Sequence, residues 1–190
     1  IEYGDMQMIC EAYWIMASAL GVSAKELHDI FTQWNAGELN SYLIEITRDI
    51  FGKTDPETGK PMVDIILDRA GQKGTGRWTA IEALLLGAPA TTIEAAVAAR
   101  NLSARLDERR AGEAIFGAAP RRIAETGDLV GALEHALLAG KIACYAQGFD
   151  LLATASAEFG WNLPMAAELE RLLHRHLLVR DERHEDVARG

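Results

Sequence analysis

Apolar positions recur at helical spacing along most of this chain. From Ile1 to Leu20, Met6, Ile9, Tyr13 and Met16 fall near one stripe with Glu2, Asp5 and Glu11 among them, and Gly21 closes the predicted helix. Ser23-Ala24-Lys25-Glu26 has the form of a capping box, in which the Ser23 oxygen serves the first-turn amides and Glu26 reaches back. A second helix is therefore predicted to about Trp34, broken by Asn35-Ala36-Gly37. Glu38 to Phe51 predicts a third, with Leu39, Leu43, Ile46 and Ile50 on one stripe and Glu45, Arg48 and Asp49 largely elsewhere. Gly52 to Pro61 reads as a surface turn region.

The strand signal is confined to Met62 to Leu67, too short and isolated to build a sheet. Trp78 to Leu86 predicts a short apolar helix ended by Gly87 and Pro89. Thr91 or Thr92 then caps a long helix to about Phe116, which carries Arg100, Arg105, Arg109 and Arg110. Pro120 to Gly127 is a second connection. Leu129 to Phe159 is apolar nearly all the way round, with Ala136, Ala139, Gly140 and Ala143 spaced for close packing, so it is expected to be buried both at the domain centre and against another subunit. The fold class is all-α, with no repeat architecture.

Composition narrows this further. At 190 residues and 49% hydrophobic, the chain can bury a sizeable core as one domain. A formal charge of -9 speaks against a nucleic-acid or anionic-membrane partner recognised through a global field, so an anionic ligand needs a local cluster of cations. Cys10 and Cys144 read as two buried thiols of a reducing, cytoplasmic protein. Glu134, His135 and Lys141 interrupt the longest apolar run, so no membrane span is expected. His28 and His135 lack metal-ligand company, and His174, Arg175, His176 and His184 read as a solvated end, so no metal is expected.

The candidate chemistry lies in Gly71-Gln72-Lys73-Gly74-Thr75-Gly76. Three glycines let a backbone approach a ligand closely, while Lys73, Thr75 and the amides before the next helix supply donors. The nucleotide phosphate loop is nearly matched, but Arg77-Trp78 stands where that motif needs Lys and then Ser or Thr. A dinucleotide fingerprint fits no better. Read alone, the segment is equally an anion site or an ordinary glycine-rich connection.

Ile1-Glu2-Tyr3-Gly4-Asp5-Met6-Gln7, Trp34-Asn35-Ala36-Gly37-Glu38-Leu39-Asn40-Ser41-Tyr42 through Thr47, the glycine loop with Trp78-Thr79, and Gly140-Lys141-Ile142 through Tyr145-Ala146-Gln147-Gly148-Phe149 together resemble decarboxylating 6-phosphogluconate dehydrogenase. The likeness runs from about Ile1 to Pro164 and concerns the helical C-terminal domain. It implies residues 1–164 as a catalytic and dimerisation domain and 165–190 as a divergent segment, helical or frayed. It also implies a homodimer that oxidises 6-phosphogluconate with NADP and releases carbon dioxide and ribulose 5-phosphate. The family's Rossmann domain, its catalytic lysine and a substrate-binding asparagine precede the matched run. NADP is therefore expected to be bound mainly outside this chain, and the chain alone is expected to be inactive.

By that resemblance Glu2 is the general acid that protonates the enediol at C1, which asks for an apolar or crowded setting in the intact enzyme. Tyr3, Lys73 and Thr75 resemble contacts to the substrate phosphate, and Arg100 resembles the arginine that completes the clamp. Lys73 and Arg100 are accordingly expected to converge in space. Read without the family, Glu2 is a solvated first-turn carboxylate, Tyr3 a packing residue and Arg100 a partner for Glu94 or Asp107. Arg105, Arg109 and Arg110 read as a charged face among Asp107 and Glu108. The charges of Glu168 to Gly190 do not resemble the family's tail. A non-enzymatic helical dimerisation module of the same descent is the alternative.

Overall fold

The computed structural model describes residues 1–117, 127–168 and 170. Helix α1 (Glu2–Trp14) continues into a π-helical turn (Ile15–Leu20) that stops at Gly21, whose φ of 75° suits a residue without a Cβ. Helix α2 (Ala24–Ala36) opens on the predicted capping box: the Glu26 amide donates to Ser23 Oγ at 3.3 Å and the Ser23 amide donates to Glu26 Oε2 at 2.8 Å. Helix α3 (Tyr42–Phe51) begins four residues later than the apolar spacing implies. The Asn35 carboxamide oxygen accepts the Ser41 amide at 3.4 Å and the Ser41 hydroxyl donates to the Leu39 carbonyl at 3.1 Å, so residues 38–41 close a turn instead of a helical one.

The strand signal at Met62–Leu67 gives a 3₁₀ turn (Met62–Asp64) instead. Its neighbourhood holds an isolated antiparallel bridge, Thr54 to Pro61, and no partner strand among the described residues. Helix α4 (Thr75–Leu86) starts three residues before Trp78, drawing Thr75 and Gly76 of the glycine loop into its first turn. The predicted long helix after it is two helices, α5 (Thr91–Ser103) and α6 (Leu106–Phe116). Arg109 explains the break, because its guanidinium folds back to donate to the Ser103 carbonyl at 3.2 Å, satisfying an α5 C-terminal acceptor from outside the helix. No glycine or proline at Ala104-Arg105 announces it. Helix α7 (Leu129–Glu158) is a single 30-residue rod whose first turn is capped by Asp128, which accepts the Gly131 amide at 2.8 Å.

Two apolar clusters hold these elements together. The larger joins α1, the π-helical turn, α2, α3 and α7 through Ile9, Met16, Leu27, Phe31, Trp34, Ile44, Phe51 and Leu137. Phe31 lies at its centre, with ring centroids 4.8 Å from Trp34 and 5.1 Å from Phe51. The smaller joins α4, α5 and α7 through Ala83, Ala90, Ile93, Cys144 and Leu151. Small side chains dominate it.

Two expectations change here, for Cys10 and for the membrane test of the longest apolar run. Cys144 is buried, but Cys10 is exposed. Within the chain α7 is covered along one side only, at Leu137, Cys144, Gly148, Leu151, Ala155 and Ser156, while Ile142 and Leu152 face outward. By length and composition α7 could also cross a membrane despite its charges, a test that the core helix of a soluble protein passes equally well. Most of the 120–127 connection, most of the 165–190 segment and the histidines at 174, 176 and 184 lie outside the described residues.

Candidate ligand site at the start of α1

The first turn of α1 divides its side chains among three surroundings. Gly4 and Asp5 turn to α7, Tyr3 and Met6 turn to the end of α5, and Glu2 is left exposed. Tyr3 is the hub. Its hydroxyl accepts the Lys73 amide at 3.4 Å, and the Arg100 guanidinium lies over its ring, 3.9 Å from the centroid. Arg100 also donates to the Gly71 carbonyl at 3.2 Å and contacts Met6 Sδ at 3.5 Å. Tyr3 therefore joins the Lys73 backbone to Arg100, and Arg100 in turn holds the Gly71 carbonyl. Arg100 pairs with neither Glu94 nor Asp107, the partners its helix position suggested.

Glycine is required here for space. A Cβ on Gly76 would lie 2.6 and 2.8 Å from Tyr3 Cδ2 and Cε2 and 3.0 Å from Val97 Cγ2, so the Tyr3 ring occupies the volume that any other residue would fill. Gly74 is the N-cap of α4 with φ of 107°, a conformation that favours glycine. No side chain caps this helix, so its first amides, beginning with Thr75, remain available to an anion at the positive end of the helix dipole. The Lys73 and Thr75 side chains are exposed beside them.

The approach to the loop is tied down separately. The Ala70 amide donates to Ser103 Oγ at 3.0 Å, Gln72 Nε2 donates to Asn101 Oδ1, and Arg109 donates to Asp68 Oδ2 at 2.8 Å and the Asp68 carbonyl at 2.6 Å. Of the expected charged face, Arg105 pairs with Glu108 at 3.0 Å, whereas Arg109 serves this tether.

Glu2 makes no hydrogen bond or ion pair among the described residues, and within this chain it has none of the crowding that a neutral-pH acid requires. The buried carboxylate of this turn is instead Asp5, paired with Lys141 of α7 at 3.3 Å. Reading the residues in line missed that pair, together with the seat that Gly76 makes for Tyr3. The available signal was the spacing of Tyr3 and Met6, three apart and hence on one helix face.

The model of the 6-phosphogluconate dehydrogenase C-terminal domain matches residues 1–172. The chain belongs to that family. It is 53% identical over 165 residues to the NADP(+)-dependent, decarboxylating 6-phosphogluconate dehydrogenase of Bacillus subtilis, covering 86% of this chain and 35% of that protein. Against the decarboxylating enzyme of Schizosaccharomyces pombe the identity is 51% over 164 residues, covering 86% and 33%. The 6-phosphogluconate dehydrogenase of Plasmodium falciparum, solved in its apo form, with its cofactor NADP+ and with its substrate 6-phosphogluconate, superposes with a TM-score of 0.80 at 45% identity. That match covers 85% of this chain and 35% of that one. The chain spans about a third of the length of the curated relatives it matches. Family membership accounts for the all-α architecture directly.

Proposed function

We propose that this chain forms the phosphate-binding and proton-donating part of a 6-phosphogluconate dehydrogenase, an NADP-dependent cytoplasmic enzyme that yields ribulose 5-phosphate and carbon dioxide. One observation carries the reading. In a chain with 28 acidic and 19 basic side chains, Arg100, the Lys73 backbone and the uncapped start of α4 are gathered around Tyr3. That is the local cluster an anionic ligand needs against an opposing net charge.

The residues divide the work by chemistry. The Arg100 fork, on leaving the Gly71 carbonyl, can offer two parallel N–H donors to two phosphate oxygens. The Lys73 ammonium adds a point charge, the Thr75 hydroxyl and the α4 amides add donors, and the Tyr3 hydroxyl contacts the same group. Glu2, one residue from Tyr3, gives its proton to C1 of the enediol while the enediol's own C2 hydroxyl gives its proton to the lysine base that the family carries before the matched run, and the ketone forms. That role asks for an apolar or crowded setting around Glu2 in the intact enzyme.

NADP does not fit the described residues. The glycine loop follows a 3₁₀ turn instead of a strand, and these residues contain no sheet at whose edge a dinucleotide could lie. Hydride transfer is therefore assigned to none of the described residues, and the chain by itself is expected to be inactive.

Calorimetric titration with 6-phosphogluconate tests the assignment. Lys73→Ala and Arg100→Ala should each weaken binding by roughly 10- to 150-fold, the equivalent of about 1.5–3 kcal/mol for a hydrogen bond to a charged group. Equal heats from all three proteins would refute it, and turnover by the chain alone would refute the division of labour.

We further infer a homodimer. Leu84 and Leu85 on α4 and Ile142 on α7 are each more than 60% exposed, which favours a covering partner. This also favours the second reading, a dimerisation module without chemistry. A dimer in sedimentation velocity that gives no heat with 6-phosphogluconate would select the module.

A further inference from the structure

The ligand cluster stands on α1, so its accuracy depends on how α1 lies along α7. The two helices run antiparallel, with Ile1 against Gly148, Gly4 against Cys144 and Met8 against Gly140. Each contact is close enough that a Cβ on the glycine would fall 2.6, 2.2 and 2.2 Å, respectively, from the facing side chain. Gly140, Cys144 and Gly148 are spaced four apart and form a groove of small residues. These contacts hold α1 close to α7, and the seat of Gly4 against Cys144 is one part of what sets where along α7 it rests.

A charged contact crosses the seam. Asp5 Oδ2 lies 3.3 Å from Lys141 Nζ, with the two side chains only 7% and 17% exposed. The other carboxylate oxygen, Oδ1, is buried without a hydrogen-bond partner. Desolvating both ions costs about as much as their attraction returns, so stability is a poor account of the pair. Direction is a better one: sliding α1 by a turn would bury two separated charges, each without the partner that offsets its desolvation.

We propose that Asp5 and Lys141 are positioning residues that set the register of α1 on α7 and thereby place Tyr3 against Arg100 and the Gly71–Gly76 loop. Asp5 is two positions from Tyr3, so a displacement of Asp5 is transmitted to the Tyr3 ring through less than one helical turn. The functional half of this inference rests on the ligand assignment above, whereas its geometric half does not.

The test replaces both ions by apolar residues of similar size, Asp5→Leu with Lys141→Met, in the 190-residue chain. Urea melts should show a fold as stable as the parent or more so. In NMR spectra the Arg100 side-chain protons should lose the upfield ring-current displacement given by the Tyr3 ring, and affinity for 6-phosphogluconate should fall by about tenfold or more. Lys141→Arg, which keeps the charge, should retain both the displacement and most of the affinity. Wild-type Arg100 shifts in the apolar pair would overturn the proposal. Failure of that double variant to fold would do the same, by showing that the pair serves stability. If the parent chain gives no heat with 6-phosphogluconate, the ligand assignment fails alone, and the Arg100 signals still decide whether the register is set here.

Discussion

Replacing Gly76 by alanine probes the seat of Tyr3 with a single methyl group. The new Cβ would stand 2.6 Å from Tyr3 Cδ2, so the ring must retreat by roughly 0.8 Å to reach an ordinary 3.4 Å contact. It cannot do so freely, because Arg100 lies on it and its hydroxyl is engaged by the Lys73 amide. Overpacking of this kind costs about 1–3 kcal/mol, offset by about 1 kcal/mol from the better helix propensity of alanine, for a net loss of about 0–2 kcal/mol. A double-mutant cycle isolates the cause. In a Tyr3→Ala background the clash with the ring disappears, the 3.0 Å approach to Val97 remains, and Gly76→Ala should become nearly neutral in urea unfolding. The coupling energy between positions 3 and 76 should then reach about 1 kcal/mol or more. An equal cost in both backgrounds would refute the claim that Gly76 exists to admit the Tyr3 ring.

The same geometry carries further expectations. Gly4→Ala puts a Cβ 2.2 Å from Cys144 Sγ and should destabilise by about 1–3 kcal/mol, with substantial rescue by Cys144→Ala when thermal melts of the single and double variants are compared. Arg109→Ala removes the tether to Asp68 and Ser103, and trypsin should then cut after Arg69 or Lys73 markedly faster than in the parent. Burial, and secondarily the Asp5 charge, raise the Tyr145 phenol above its ordinary value of 10.0. A raised folded value gives stability that is complete below 10.0 and lost as pH climbs through the higher folded value, so Tyr145→Phe should flatten the alkaline decline in melting temperature. Hydrogen bonds from Ser23 lower the Glu26 carboxyl, whose contribution is present above its ordinary 4.5 and lost as pH falls through the lower folded value. Ser23→Ala should therefore weaken the acid dependence of α2 helicity followed by circular dichroism.

The capping box at Ser23 and Glu26 and the rod at 129–158 are legible in the chain because neighbours within four positions carry those signals. The same is true of the family likeness, whose motifs are local words in a fixed order. Where distant residues intervene, reading in line falls short. The apolar spacing of 38–51 does not contain the Asn35 carboxamide that delays α3, and residues 91–116 look continuous because the six-residue reach of Arg109 back to Ser103 exceeds the spacing that helix periodicity reads.

Local pattern alone, then, settles the helical class, the Ser23 capping box and the residue types able to hold a phosphate. Which of those residues share a site was decided in three dimensions. Tyr3, Gly71, Lys73 and Arg100 span nearly a hundred positions and meet only because Gly4, Gly140 and Gly148 bring α1 against α7 while Gly76 leaves room for a ring. The physical reason is range. Helix periodicity and capping are settled by hydrogen bonds three or four residues long, whereas packing distance and register depend on shapes and charges from separate segments, and their fit exists only once the chain has closed on itself.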